Sequence, residues 1–199
     1  ETQYAGLPCT LVRTTGCDLR CGYCDSAFAF HGGQDMSVAD IVAKVDSLGA
    51  RLVLLTGGEP MLQREIGDLA ARLLGGGYQV MIETSGAHAL DTLPPEVVRI
   101  VDVKTPGSGE VSRMRLEILD GLGRRDAVKF VICDEADYRW ASDLIRSRGL
   151  AERSEVLLSP SHGKVDPQDL VAWMLRDRLP ARLNLQLHKY VWSPDARGV

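Results

Sequence analysis

The 199-residue chain carries 23 basic and 27 acidic residues, a formal charge of −4, so it has no basic field of the kind that recruits nucleic acid or an anionic membrane. No apolar run nears the ~20 residues needed to span a bilayer, and the N-terminus lacks the basic-then-apolar order of a secretory signal, which places the chain in the cytoplasm. The length suits one domain over residues 1–199 with a real core, and five cysteines, three of them crowded into one loop, favour metal ligation over a disulfide framework.

In chain order, Thr10 to Thr14 is a short β-branched stretch that leads through Gly16 into Cys17-Asp18-Leu19-Arg20-Cys21-Gly22-Tyr23-Cys24. Ser37 is a natural N-cap, and Val38, Ile41, Val42, Val45 and Leu48 recur at helical spacing before Gly49. Arg51 to Thr56 is a continuous apolar run, the mark of a parallel strand covered on both faces, and it ends in Gly57-Gly58-Glu59-Pro60. The apolar spacing predicts a helix over Met61 to Leu74, then a strand from Tyr78 that exits on Glu83-Thr84-Ser85-Gly86.

Arg99 to Lys104 is again apolar first and charged at its exit, and Val111 to Leu122 is predicted helical. A strand over Asp126 to Cys133, a helix over Glu135 to Ser147 and a strand from Glu155 to Ser159 follow. Asp166-Pro167 pairs an N-cap with a proline at the first helical position, and Arg182 to His188 alternates like a half-buried final strand. About seven strands alternating with about five helices predict a parallel α/β fold. A full eight-fold barrel takes about 250 residues, so the expected architecture is an incomplete TIM-like barrel with its functional residues on the rim where strands exit.

The cysteine loop is the strongest chemical signal. Thiolates are the usual protein ligands of iron–sulfur clusters, and three cysteines on a cubane leave one iron open to a reactant. A structural zinc site is the competing possibility, but zinc prefers four protein ligands and neither a fourth cysteine nor a pair of histidines lies nearby in sequence. Cys9 and Cys133 belong to strands and are expected to be small packed hydrophobes, and His31, His88 and His162 to be loop residues. Lys129 interrupts an apolar strand and is left without a role.

The C-x-x-x-C-x-x-C spacing, Tyr23 before the last cysteine and Gly57 to Pro60 at the next strand end together resemble the radical S-adenosylmethionine (SAM) superfamily. The resemblance implies a 4Fe-4S cluster on Cys17, Cys21 and Cys24, with SAM bound on the open iron and cleaved to a 5′-deoxyadenosyl radical. It implies Gly58 and Glu59 at the methionyl amine through backbone oxygens, Tyr23 against adenine, Glu83 and Ser85 at the ribose, and Lys104 at the carboxylate.

A narrower resemblance runs over nearly the whole chain. Ala5-Gly6-Leu7-Pro8, Val12-Arg13, Gly16-Cys17, Cys24-Asp25-Ser26, Gly57 to Met61, Ile82 to Gly86, Val103 to Pro106 and Gln186 to Tyr190 are similar to the 7-carboxy-7-deazaguanine synthase family. That family converts 6-carboxytetrahydropterin to 7-carboxy-7-deazaguanine with loss of ammonia, on the route to queuosine and other 7-deazapurine nucleosides, and is helped by magnesium. The resemblance implies Glu1, Arg13 and His188 as substrate contacts, Ser26 as a magnesium ligand and Asp25 behind it. It also implies a homodimer fed by flavodoxin or ferredoxin, and a substrate-binding glutamine upstream of Glu1.

The chain departs from the family where Ser85 replaces an Asn, Asp102-Val103-Lys104 a Ser-Pro-Lys and Ser159-Pro160 a Gln-Pro. Two rivals remain open on sequence: an activase that makes a glycyl radical on a partner protein, and a non-catalytic iron–sulfur carrier or zinc-stabilised module.

Overall fold

The computed structural model describes residues 2–194 and 196. Seven strands form one all-parallel sheet in the order in which they occur: β1 (Cys9–Thr14), β2 (Leu52–Gly57), β3 (Gln79–Thr84), β4 (Val98–Val103), β5 (Ala127–Ile132), β6 (Glu155–Pro160) and β7 (Arg182–Leu183). β1 and β7 are the two edges and do not pair, so the sheet curves into a barrel that stays open. Helices α1 (Val38–Leu48), α2 (Ile66–Gly75), α3 (Glu135–Ser147), α4 (Leu150–Arg153), α5 (Pro167–Arg176) and α6 (His188–Val191) complete the fold. None is long and apolar enough to cross a membrane.

Strand alternation divides the core in two. On β2, Val53 and Leu55 face outward to Val45, Leu69, Ala70 and Leu73 of α1 and α2, and on β5, Val128, Phe130 and Ile132 face outward to Tyr138, Ala141 and Ile145 of α3. The intervening residues line the barrel. Leu52, Leu54, Met81, Val98, Ile100, Ala127 and Leu157 make an apolar floor, closed from below by Tyr4 and Cys9. Above that floor the same faces turn polar, through Arg13, Glu83, Asp102, Lys129 and Ser159. The N-terminal segment is tied across the open side where Asn184 Nδ2 donates to the Thr2 carbonyl at 3.0 Å.

The helix ends follow local chemistry. Ser37 Oγ accepts from the Asp40 amide at 3.1 Å, Asp134 accepts from the Asp137 amide at 2.8 Å, and Asp166 accepts from the Gln168 amide ahead of α5.

Three expected elements differ from the structure. The helix over Met61 to Leu74 is two pieces, a 3₁₀ turn at Pro60–Leu62 and then α2, because Gln63 is extended and its side chain donates to the Thr15 carbonyl at 2.8 Å. The helix over Val111 to Leu122 is instead two 3₁₀ turns, Val111–Arg113 and Leu116–Gly121. The Arg115 amide is drawn off to the Gly86 carbonyl at 3.0 Å and the Lys104 amide meets the Met114 sulfur, so side-to-side docking wins over helix propagation. The last strand stops at Leu183. Asn184 is buried and receives the Ser159 hydroxyl, after which the chain leaves the sheet and His188 opens α6.

Candidate active site

The exits of β1 to β4 and the segment after β7 meet on the upper rim. The cysteine loop leaves β1 and returns through a 3₁₀ turn at Ala27–Phe30, with the Gly16 amide donating to the Ala29 carbonyl at 2.8 Å. Its root is packed backbone to backbone against the β2 exit: the Gly58 amide donates to Thr14 and the Glu59 amide to Gly16, at 3.0 and 2.8 Å. A Cβ on Gly58 would stand 2.0 Å from the Gly16 carbonyl oxygen, and one on Gly57 would stand 2.2 Å from that of Thr14. Gly57-Gly58 is therefore a structural requirement for this approach, beyond any contact it makes with a ligand.

Glu59 is fully buried, and its side chain is the fastener of the rim. One oxygen accepts from Thr84 Oγ1 at 2.7 Å and the Met61 amide at 3.0 Å; the other accepts from the Ser85 amide and hydroxyl at 2.8 and 2.6 Å. The β2 and β3 exits are thereby locked to each other, and the Glu59 carbonyl accepts from the Leu62 amide at 3.2 Å.

Cys17, Cys21 and Cys24 are free and half-exposed. Burial pushes the Cys17 thiol up, and the charge of Glu59 adds to it; burial likewise raises Cys21, to about 11. Cys24 contributes to both shifts, so the three sulfurs share one neighbourhood. Among the described residues, no three His, Cys, Asp or Glu side chains converge to grip a single metal ion. Three thiols on one loop match the ligand chemistry of a 4Fe-4S cluster, whereas a structural zinc takes four protein ligands. The residues fit a 4Fe-4S cluster held by three cysteines.

Behind the loop, Lys104 Nζ donates to Asp102 Oδ2 at 2.8 Å and stands 5.9 Å from the centre of the Tyr23 ring. Burial works against the Lys104 ammonium, but Asp102 and then Cys21 outweigh it, and its pKa lies above the ordinary lysine value. Asp102 Oδ1 and the Tyr23 hydroxyl are buried with no hydrogen-bond partner. Burial pushes the Tyr23 phenol far up, followed by the charge of Asp102. Two orphaned polar atoms beside an ammonium mark a place shaped for a polar ligand.

On the opposite lip, Arg13 Nη1 donates to Ser26 Oγ at 3.2 Å, and Ser26 donates to Asp25 Oδ1 at 3.1 Å. Asp25 Oδ2 accepts from Gln186 Nε2 at 2.5 Å and faces Lys189 Nζ at 3.5 Å. Burial would raise Asp25, but the Gln186 hydrogen bond and the Lys189 and Lys129 charges prevail and hold its carboxyl below the usual range. Arg13, Asp25 and Ser26 thus stand together on this lip, with His188 two residues beyond Gln186 at the start of α6. Glu1 lies outside the described residues.

Glu83 shares its carboxylate with Lys129 Nζ at 2.7 Å, inside the barrel. Lys129, which interrupts the apolar run of β5, shares the inward face with Ala127, and nothing local in the sequence names its partner. Gln186 and Lys189 lie 161 and 164 residues from Asp25, and nothing local in the sequence pairs them with it.

Comparison with known proteins adds to this geometry. The Radical SAM superfamily profile matches residues 11–103. A 7-carboxy-7-deazaguanine synthase of Koribacter versatilis is 48% identical over all of this chain and 95% of its own length. The chain belongs to the 7-carboxy-7-deazaguanine synthase family. Synthases of Chlorobaculum tepidum and Methanospirillum hungatei are each 39% identical, over 100% and 96% of the chain and 92% and 80% of their own lengths.

Among solved structures, Streptococcus suis SuiB bound to S-adenosylmethionine superposes with a TM-score of 0.66 at 14% identity, over 90% of this chain. The chain spans about half of SuiB (51%), and at that identity the likeness concerns the fold alone. Membership of the synthase family, with its radical SAM core, sets aside the activase and the non-catalytic carrier.

Proposed function

We propose that this chain converts 6-carboxy-5,6,7,8-tetrahydropterin to 7-carboxy-7-deazaguanine with release of ammonia, as a radical SAM carbon–nitrogen lyase. The observation that carries the proposal is the full-length identity of 48% to a synthase of that name, and the rim geometry agrees with it. Cys17, Cys21 and Cys24 would hold three irons of the 4Fe-4S cluster. When bound, the cluster would supply the low-potential electron for reductive cleavage of SAM.

The protein's part is to bind, orient and exclude water. The carbonyls of Gly58 and Glu59 would take the methionyl amine. Lys104 would meet the carboxylate, exchanging its bond to Asp102 for one to the ligand. Tyr23 is assigned to adenine, and Glu83 and Ser85 to the ribose; the Ser85 hydroxyl donates its hydrogen bond to Glu59, so toward the ribose it would act as an acceptor.

Arg13 offers a guanidinium fork to the substrate carboxylate, with His188 and Glu1 as further substrate contacts. Ser26 would give its hydroxyl to a magnesium ion, which takes few protein ligands and keeps water and substrate oxygens, while Asp25 orients that hydroxyl. We place the enzyme in the cytoplasm as a homodimer, fed by a low-potential flavodoxin or ferredoxin. The exposed Tyr190, Val191 and Trp192 at the end of α6 give it an apolar surface to bury.

Anaerobic incubation of cluster-loaded protein with SAM, reductant, magnesium and 6-carboxytetrahydropterin is expected to yield carboxydeazaguanine; no product from fully loaded protein would overturn the proposal. Arg13→Ala should lower kcat/KM for the pterin by about 100-fold or more, the loss of a charge-assisted bidentate contact, while substrate-free SAM cleavage persists. Equal loss of both activities would assign Arg13 to SAM or to folding.

A further inference from the structure

The cysteine loop is fastened on its outer side by a set of contacts that neither the cluster nor the substrate requires. Asp18, between Cys17 and the rest of the loop, receives Arg113 Nη2 at 2.6 Å on one oxygen and faces His88 Nε2 at 3.1 Å on the other. Arg113 comes from the turn after β4 and His88 from the loop after β3, so one carboxylate ties the loop to two other strand exits. Two residues further, the Arg20 amide donates to Glu110 Oε1 at 2.6 Å, and the Gly22 amide donates to the Ser108 carbonyl at 3.0 Å. The Arg20 guanidinium folds back on its own loop, donating to the carbonyls of Cys17 and Leu19 at 2.7 and 2.6 Å, and lies 4.4 Å from the centre of the Phe30 ring.

The backing is itself rigid. Ser108 belongs to a turn held by the buried Asp137, which accepts from Thr105 Oγ1 at 2.9 Å and the Gly107 amide at 2.8 Å. Asp18 is 30% exposed and Arg113 48%, so these pairs add little to global stability; their effect is on where the loop sits.

We propose that Asp18 and Glu110 are positioning residues that hold the cysteine loop in its ligating shape before iron arrives, so that the cluster is assembled on a preformed site. The inference rests on Cys17, Cys21 and Cys24 being the ligands and does not depend on the identity of the substrate. A loop ordered only by metal would be loose in the iron-free protein, whereas this one is tied by residues from the two stretches that follow β3 and β4.

The test is limited trypsin digestion of iron-free, reduced protein, reading cleavage of the Arg20–Cys21 bond by mass spectrometry. Wild type should resist cleavage there, and Asp18→Ala and Glu110→Ala should each be cut about tenfold faster, with thermal midpoints close to wild type. Arg113→Gln, which removes a partner without touching the loop, should reproduce Asp18→Ala. Reconstitution of the same variants with ferrous iron and sulfide should be slowed while final iron content approaches wild type. Cleavage of the wild-type loop at the rate of the variants, or variants indistinguishable from wild type in both measurements, would overturn the proposal. Neither readout uses the pterin, so an enzyme inactive on it with a protected loop would refute the proposed function alone.

Discussion

Alanine at Cys17, Cys21 or Cys24 is expected to abolish the iron–sulfur cluster and every activity that follows from it. Three thiolates are the fewest that leave one iron open and still hold a cubane, so the loss of any one removes a corner with no substitute nearby. Cys9 packs against the barrel floor below the rim, and Cys133 lies at the β5 exit beside Asp137, so neither stands in the loop that would have to accept an iron. Iron and acid-labile sulfide per chain after anaerobic reconstitution should fall to near zero in each of the three variants and stay at wild-type levels in Cys9→Ala. The thiols are half-exposed and pack little, so the fold should survive; circular dichroism and the thermal midpoint should stay close to those of iron-free wild type. Full iron retention in any one of the three would refute the ligand set.

The second large effect concerns a residue that touches no metal. Glu59→Ala would leave the Thr84 and Ser85 hydroxyls and the Met61 and Ser85 amides without their acceptor, in a place closed to water. Unsatisfied buried donors cost about 1–3 kcal/mol each, partly relieved by relaxation, so a loss of roughly 3–5 kcal/mol is expected. For a chain of this length that lowers Tm by about 10 °C or more. Glu59→Gln keeps the shape but turns an amide NH₂ toward donors, and should cost roughly 1–3 kcal/mol. Both variants should weaken SAM binding measured calorimetrically if the β2 and β3 exits form the proposed SAM site, because the Glu59 side chain is what ties those exits together. A Glu59→Ala protein as stable as wild type would mean that the rim is held by other contacts.

The fold was legible wherever a local rule was also the global one. Leu52 to Leu55 read as a strand covered on both faces and is one, with alternate residues feeding the barrel floor and the helical layer. Ser37 and Asp166 stand at the starts of α1 and α5, where side-chain oxygens meet free amides. The misses share a cause: a distant partner outbid a local propensity. Apolar spacing over Val111 to Leu122 suits a helix, yet Arg115 and Arg113 are claimed by Gly86 and Asp18 across the rim. Alternation through Arg182 to His188 suits a strand, yet the buried Asn184 and the reach of Gln186 to Asp25 carry the chain off the sheet.

The site divided in the same way. The cysteine spacing and Gly57 to Pro60 are contiguous signals and were legible. The role of Glu59 as an internal acceptor, and the pairing of Lys129 with Glu83, depend on register between strands that sequence does not state.

The missing pairing between β1 and β7 has a consequence for the chamber itself. In a closed barrel the strand number and stagger set the circumference, and the interior cannot widen without breaking ladder hydrogen bonds. Here the last such bonds run from β6 to β7, and the seam is spanned instead by side-chain clasps, Asn184 to Thr2 below and Gln186 to Asp25 above. Arg13 rides on one jaw and Gln186 on the other. The width of the chamber at this seam is therefore set by side-chain contacts and not by a strand ladder, and so by the residues on its two lips.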